Sequence, residues 1–153
     1  MREIKFRAWH RDEKLMCVVN LINFNLGAFL FGVKKGEDQI YDDAVIPAPD
    51  DGRFCYWYEI DLMQSTGLLD KNGVEIYEGD ILKCNGIDLR TTKGNKLRLP
   101  KGTKLMVIWH DGNFKVKKKS RRSKKRILNG GIIWANSAYV IGNIYENSEL
   151  LTT

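Results

Sequence analysis

Histidine and cysteine are scarce in this chain, and their placement removes several kinds of chemistry. The two histidines, His10 and His110, stand alone, and Cys17, Cys55 and Cys84 lie far apart with no CxxC pair. No His, Cys and carboxylate spacing resembles a metal ligand set. An odd number of dispersed cysteines also argues against a disulfide framework, so free thiols packed as small hydrophobes are expected. Long apolar runs are missing too. Ala28 to Val33 is the longest, far short of the roughly 20 residues that span a bilayer as a helix. The opening MREIKFRAWHRDEK is charged throughout and lacks the apolar block of a signal peptide, which makes the cytoplasm the expected location.

Catalytic signatures are equally sparse. Ser65-Thr66-Gly67 lacks the strand-elbow-helix setting of a hydrolase serine. Gly130-Gly131 lacks the spacing and the lysine of a phosphate loop. Glu59, Asp61, Asp70, Glu75, Glu78 and Asp80 are candidate acids, but no spacing pairs any two of them for general acid-base work. The expectation is a protein that is not an enzyme, with no cofactor, no bound metal and no small-molecule substrate.

What the chain does have is strand chemistry. Its 153 residues suit one domain, and few windows carry a helical period. Glu3 to Trp9 alternates, with Ile4, Phe6 and Ala8 on one face. Arg11 to Lys14 is a polar turn, and Leu15 to Leu21 returns as the second arm of an N-terminal hairpin. Phe24 to Val33 reads as a strand bent or bulged at its glycines, Ala44 to Gly52 as a loop, and Phe54 to Met63 as an aromatic-rich strand.

Beyond Gln64, Asp70-Lys71-Asn72-Gly73 and Glu78-Gly79-Asp80 are turn clusters that bracket a short strand, Val74 to Tyr77. Ile81 to Cys84 leaves the second turn, and Asn85 to Lys104 is polar enough to read as a long excursion. Asp111-Gly112 is a two-residue hairpin signal between Leu105–Trp109 and the run through Phe114 and Val116. Gly130 to Trp134 and Ala138 to Ile144 supply further strands, and Asn147 is placed to cap a last helical turn.

Charge is distributed unevenly. Lys115 to Arg126, KVKKKSRRSKKR, holds nine basic residues and no acidic one; without it sixteen basic residues face nineteen acidic ones. All of the positive excess lies in that tract. Its cations Lys115, Lys117, Lys118, Lys119, Arg121, Arg122, Lys124, Lys125 and Arg126 form a candidate contact with nucleic acid, since a polyanion relieves their mutual repulsion while releasing counterions. With no aromatic inside the tract, contact falls on phosphates rather than bases. The same run also reads as a solvated loop. Trp9, Trp57, Trp109 and Trp134, with six Tyr and six Phe, are mostly core; any that face outward suit a partner or a second copy of the chain.

LMQSTGLLDKNGVEIYEGDIL, with MREIKFRAW before it and VIWHDGNF and VIGNIYEN after it, resembles the signature segments of the YopX family of phage and prophage proteins. The resemblance covers most of the chain in order. It implies an all-β fold whose C-terminal half, residues 64–153, is an SH3-like barrel, preceded by an N-terminal β-hairpin or sheet lobe over residues 1–63. It carries no activity. The expected function is that of a non-enzymatic accessory protein associated with nucleic acid through the basic tract. The alternative is a module that binds itself or a host protein.

Overall fold

Alternating apolar and polar positions, punctuated by residues tolerant of positive φ, fold as antiparallel strands throughout. The computed structural model describes residues 3–23, 28–33, 55–90, 96–118, 126–128 and 137–151. Among them are thirteen strands, two 3-10 turns and no α-helix, so the chain is all-β. Among the described residues no helix is long and apolar enough to cross a membrane. Two compact units divide between Gln64 and Ser65, with Glu3 grouping with the second.

In the first unit the strands β1 (Phe6–His10), β2 (Leu15–Asn23), β3 (Ala28–Val33), β4 (Cys55–Tyr56) and β5 (Ile60–Leu69, which runs on past the division) order as β4-β3-β2-β1-β5. The N-terminal hairpin is present, with His10 opposite Leu15. Its turn is closed by Lys14, whose φ is +54° and whose amide donates to the His10 carbonyl at 2.9 Å. The Glu13 amide donates to His10 Nδ1 at 3.2 Å, which gives that buried ring a structural task. Ala8, Cys17 and Ile60 form the small core, with Val19 packed against it. Ile4 is 65% exposed because the strand begins only at Phe6, so the expected apolar face starts one pair later.

Two other expectations change here. Of the irregularity expected at the glycines of the third strand, Gly27 lies outside the described residues and Gly32 sits in regular pairing opposite Val18, while β2 has a register slip between Val19 and Leu21. The aromatic run is also not one strand. It breaks into β4, a 3-10 turn at Trp57–Glu59, and β5. The loop Ala44–Gly52 lies outside the described residues.

The second unit holds the rest of β5 with β6 (Glu75–Tyr77), β7 (Asp80–Cys84), β8 (Ile87–Arg90), β9 (Lys96–Leu99), β10 (Lys104–His110), β11 (Asn113–Lys118), β12 (Arg126–Leu128) and β13 (Ala138–Asn143). Five of these make a sheet in the order β12-β11-β10-β7-β13. Alternation sends Leu82, Cys84, Leu105, Val107, Phe114, Val116 and Ala138 to one face, where Ile76 and Leu99 join them in the main core. Each large aliphatic buried there contributes about 1.5–3 kcal/mol. The polar stretch 85–104 is not a bare excursion: β8 and β9 pair from Ile87–Leu99 to Arg90–Lys96, and Leu99 reaches the core. The expected strand at Gly130–Trp134 falls outside the described residues.

Turn chemistry explains the motif residues one by one. Asp70 is buried, and its Oδ1 accepts from the Asn72 and Val74 amides while Oδ2 accepts from Val140, tying the turn to β13. Gly79, at φ +79°, donates to Val107 and accepts from Ile144, and Asp80 accepts from the Tyr77 amide. Ile76 and Ile81 on either side are fully buried. Asp111 at +50° and Gly112 at +75° give both central residues of the β10–β11 turn a positive φ, the primed geometry that suits strand twist.

The C-terminal turn departs from its expected capping. A 3-10 turn forms at Ser148–Leu151, and the Asn147 carbonyl accepts from Leu150. The Asn147 side chain, however, turns back to accept from the Asn143 amide at 3.3 Å. It is recruited by the close approach of Gly142, not by the helix end.

Burial pushes the Cys84 thiol up to about 11, against a smaller opposing pull from Lys118. A thiol so raised is almost wholly protonated at neutral pH, and the thiolate is the nucleophile. Cys84 is therefore expected to resist maleimide or disulfide reagents in native protein at pH 7.5 and to react on unfolding. Mass spectrometry of native and denatured samples reads the difference; rapid native labelling at Cys84 would contradict its burial.

Candidate nucleic-acid interface

The basic tract begins inside a strand. The Asp111-Gly112 turn fixes β11 in register with β10, pairing Ile108 with Lys115 and Met106 with Lys117. Phe114 and Val116 consequently face the core, and Lys115 and Lys117 point to the other side of the sheet. Lys115 is 9% exposed, and its ammonium donates to Asp111 Oδ2 at 2.8 Å across the turn. The pair holds the Asp111 carboxyl below its ordinary value, the Lys115 hydrogen bond being the main cause. Lys115 thus serves the hairpin. Lys117 is half-buried and Lys118 exposed.

The far end of the tract is a strand as well. Arg126 opens β12, which pairs with β11 so that Lys118 stands opposite Arg126 and Lys117 opposite Ile127. The tract is therefore the connection of a hairpin, with its two ends held side by side. Lys119, Arg121, Arg122, Lys124 and Lys125, with Ser120 and Ser123, lie outside the described residues.

The acids singled out in the sequence have structural partners. Asp61 forms a two-point ion pair with Arg11, at 3.1 Å to Nε and 2.6 Å to Nη2. Glu75 accepts from the Ser65 hydroxyl at 2.8 Å and the Tyr77 hydroxyl at 3.0 Å. Glu78 accepts from the Trp109 amide at 3.3 Å. Asp70 and Asp80 hold backbone amides, and the Glu59 carbonyl accepts from the Arg11 amide. Among the described residues no group of three or more His, Cys, Asp and Glu is placed to hold a metal ion.

Among the described residues two aromatics, Trp109 and Tyr58, are exposed. Trp109 is half-exposed at the end of β10, where its ring meets Phe114 edge-on at 4.8 Å, although by alternation it shares a face with the buried Leu105 and Val107. Its position at the strand end, one residue before the turn, accounts for the difference.

What the sequence did not reveal is a second group of cations on the same side of the sheet as Lys117. Lys83 on β7 stands opposite Lys104 on β10 and opposite Tyr139 on β13. Only the strand register, joining residues far apart in the chain, brings these together.

No curated protein matches the chain. Among solved structures, the crystal structure of protein EF1440 from Enterococcus faecalis is similar, with a TM-score of 0.58 and 28% sequence identity over 99% of each chain. The profile of the YopX protein family matches residues 5–152, nearly the whole length, and the chain belongs to that family.

Proposed function

We propose that this protein is a non-enzymatic accessory protein of a phage or prophage, working in the host cytoplasm and contacting nucleic acid through the hairpin connection between β11 and β12. On this reading the five-stranded sheet is an SH3-like platform and the connection is its binding element. The observation that supports it is the pairing of Lys118 with Arg126. It gathers the two ends of the tract at one edge of a folded sheet, so nine basic residues enter a single short hairpin. Such a concentration of charge favours a polyanion, because each phosphate neutralised releases condensed counterions. Lys115, bound to Asp111, stands apart from the contact set.

The test is a salt series. Binding of a fluorescent duplex should weaken steeply as salt rises. Replacing Lys117, Lys118, Arg121, Arg122, Lys124 and Lys125 by Gln should reduce the slope of log K against log salt by about 5, at roughly 0.9 per phosphate contact. An unchanged slope in that variant would remove the tract from the contact.

Self-association or capture of a host protein is the second reading. β12 is an outer strand of the five-stranded sheet, whereas the edge of β13 is bonded to Asp70 and Lys71, and a strand edge can accept another chain. Light scattering distinguishes it: a discrete multiple of 17.6 kDa that persists in the neutralised variant favours assembly.

A further inference from the structure

We propose that Asn85, in the link between β7 and β8, is a site of spontaneous deamidation, and that the same Asn-Gly pair at Asn72 is protected from it by its turn. The modification is independent of the partner proposed above.

The chain has three Asn-Gly pairs, Asn72-Gly73, Asn85-Gly86 and Asn129-Gly130, the last outside the described residues. A following glycine favours the chemistry because, without a Cβ, its nitrogen approaches the asparagine side chain unhindered. That nitrogen gives up its proton to hydroxide and attacks Cγ of the asparagine. An N–Cγ bond forms and the Cγ–Nδ2 bond breaks. The departing nitrogen takes a proton from water, regenerating the hydroxide, and leaves as ammonia. Water then adds to the five-membered succinimide. Opening at Cγ gives aspartate, and opening at the main-chain carbonyl carbon gives isoaspartate, in which the chain runs through Cβ and Cγ. Water is consumed and ammonia released, with no oxidant or other reactant.

Exposure does not separate the two described pairs, since all four residues are exposed. Both glycines have positive φ, +83° at Gly73 and +76° at Gly86, with open space where a Cβ would stand. Hydrogen bonding separates them. The Gly73 amide donates to the Asp70 carbonyl at 3.1 Å, so its nitrogen is engaged while the turn is closed. The Asp70 carboxylate accepts from the Asn72 amide at 2.7 Å and also draws on the Gly73 amide. It therefore puts a negative charge beside the nitrogen that has to become an anion. Asp70 and Lys71 anchor the same turn to β13. Deamidation at Asn72 thus waits on opening of the turn.

None of these restraints acts on Asn85. Among the described residues the Gly86 amide has no acceptor and the Asn85 side chain no partner. Their neighbours are pinned instead. The Cys84 amide donates to Thr103 and its carbonyl accepts from Gly102, while Ile87 opens a ladder opposite Leu99. An isoaspartyl residue lengthens the main chain between these fixed points. The β8–β9 hairpin, whose Leu99 packs in the main core, is the element it disturbs.

The test is timed peptide mapping of the full-length protein. Native protein and protein in denaturant are incubated at mildly alkaline pH, and cleavage after Lys and Arg yields fragments 72–83 and 84–90, one for each pair. In denaturant both fragments should convert at similar rates. In native protein 84–90 should gain the mass of an amide-to-acid change several-fold faster than 72–83, with aspartyl and isoaspartyl forms resolved by chromatography. Asn85→Gln, which keeps the amide but needs a larger ring, should leave that fragment unmodified. Equal native rates at the two sites, or a faster one at Asn72, would overturn the proposal. So would a native 84–90 fragment that stays intact while the denatured one converts.

Discussion

Asp70→Ala should lose about 4 kcal/mol of folding stability, the largest single-site effect expected outside the hydrophobic core. The carboxylate is 5% exposed and accepts from the amides of Asn72 and Val74 through one oxygen and from Val140 through the other. Truncation leaves three amides without that acceptor, at about 1–3 kcal/mol for each one that water cannot reach. Asp70→Asn keeps one acceptor oxygen but presents an NH2 group where the second stood, so an intermediate loss is expected. Chemical denaturation at neutral pH measures both.

The pH dependence has a definite sign. Burial pushes the Asp70 carboxyl up, but the amides of Val140, Val74, Asn72 and Gly73 together outweigh it and hold the group below 3.8 in the folded protein. A carboxyl whose folded value is depressed contributes stability above its unfolded value, about 3.9, and loses that contribution as pH falls through the folded one. Wild-type stability should therefore drop on acidification below about pH 4, and Asp70→Asn should show a shallower drop. Equal acid limbs for the two proteins would mean that other carboxyls carry the transition.

Gly142→Ala is the second large effect. Gly142 has a φ of +150°, and a Cβ built there lies 2.9 Å from Asn147 Cβ and closer still to its amide group. Non-glycine residues in that backbone region carry about 1–3 kcal/mol of strain. Displacing Asn147 also breaks its bond from the Asn143 amide, at about 0.5–1.5 kcal/mol. A total near 3 kcal/mol should lower the melting temperature by about 6–12 °C for a chain of this size. Asn147→Ala separates the two parts, since it removes the bond and leaves the backbone unstrained. Gly142→Ala in the Asn147→Ala background should then cost less than in the wild type.

Turn positions were legible because their chemistry is local. Asp111-Gly112 and Asn72-Gly73 name the residues that take positive φ, and the structure puts Asp111, Gly112 and Gly73 there. The strands beside them could be read from alternation, as Leu105 and Val107 were. The hairpin β8–β9 alternates as well, with Ile87, Leu89, Leu97 and Leu99 each beside a charged residue, but its strands are only four residues long and lie in a polar stretch read as one excursion.

The candidate surface divides in the same way. Nine cations in one run are visible to composition alone. That Lys115 is taken by Asp111 depends on the turn geometry, and that Lys83 meets Lys104 depends on pairing two strands 21 positions apart. Asn147 shows the limit from the other side. A capping residue was recognisable, but not the close approach of Gly142 that redirects its side chain.

On the nucleic-acid reading proposed above, the opposition of Lys118 and Arg126 would couple the β11–β12 ladder to the binding of a polyanion. Like charges at opposed positions work against a ladder, so on that reading a polyanion that neutralises the tract would strengthen the same rungs. By linkage the effect is reciprocal: zipping of the strand end raises anion affinity by the factor by which the anion favours zipping. Amide exchange at Lys117, Lys118, Ile127 and Leu128 should thus slow on adding a polyanion, a local tightening that sets the last turns of this sheet apart from its salt-indifferent core.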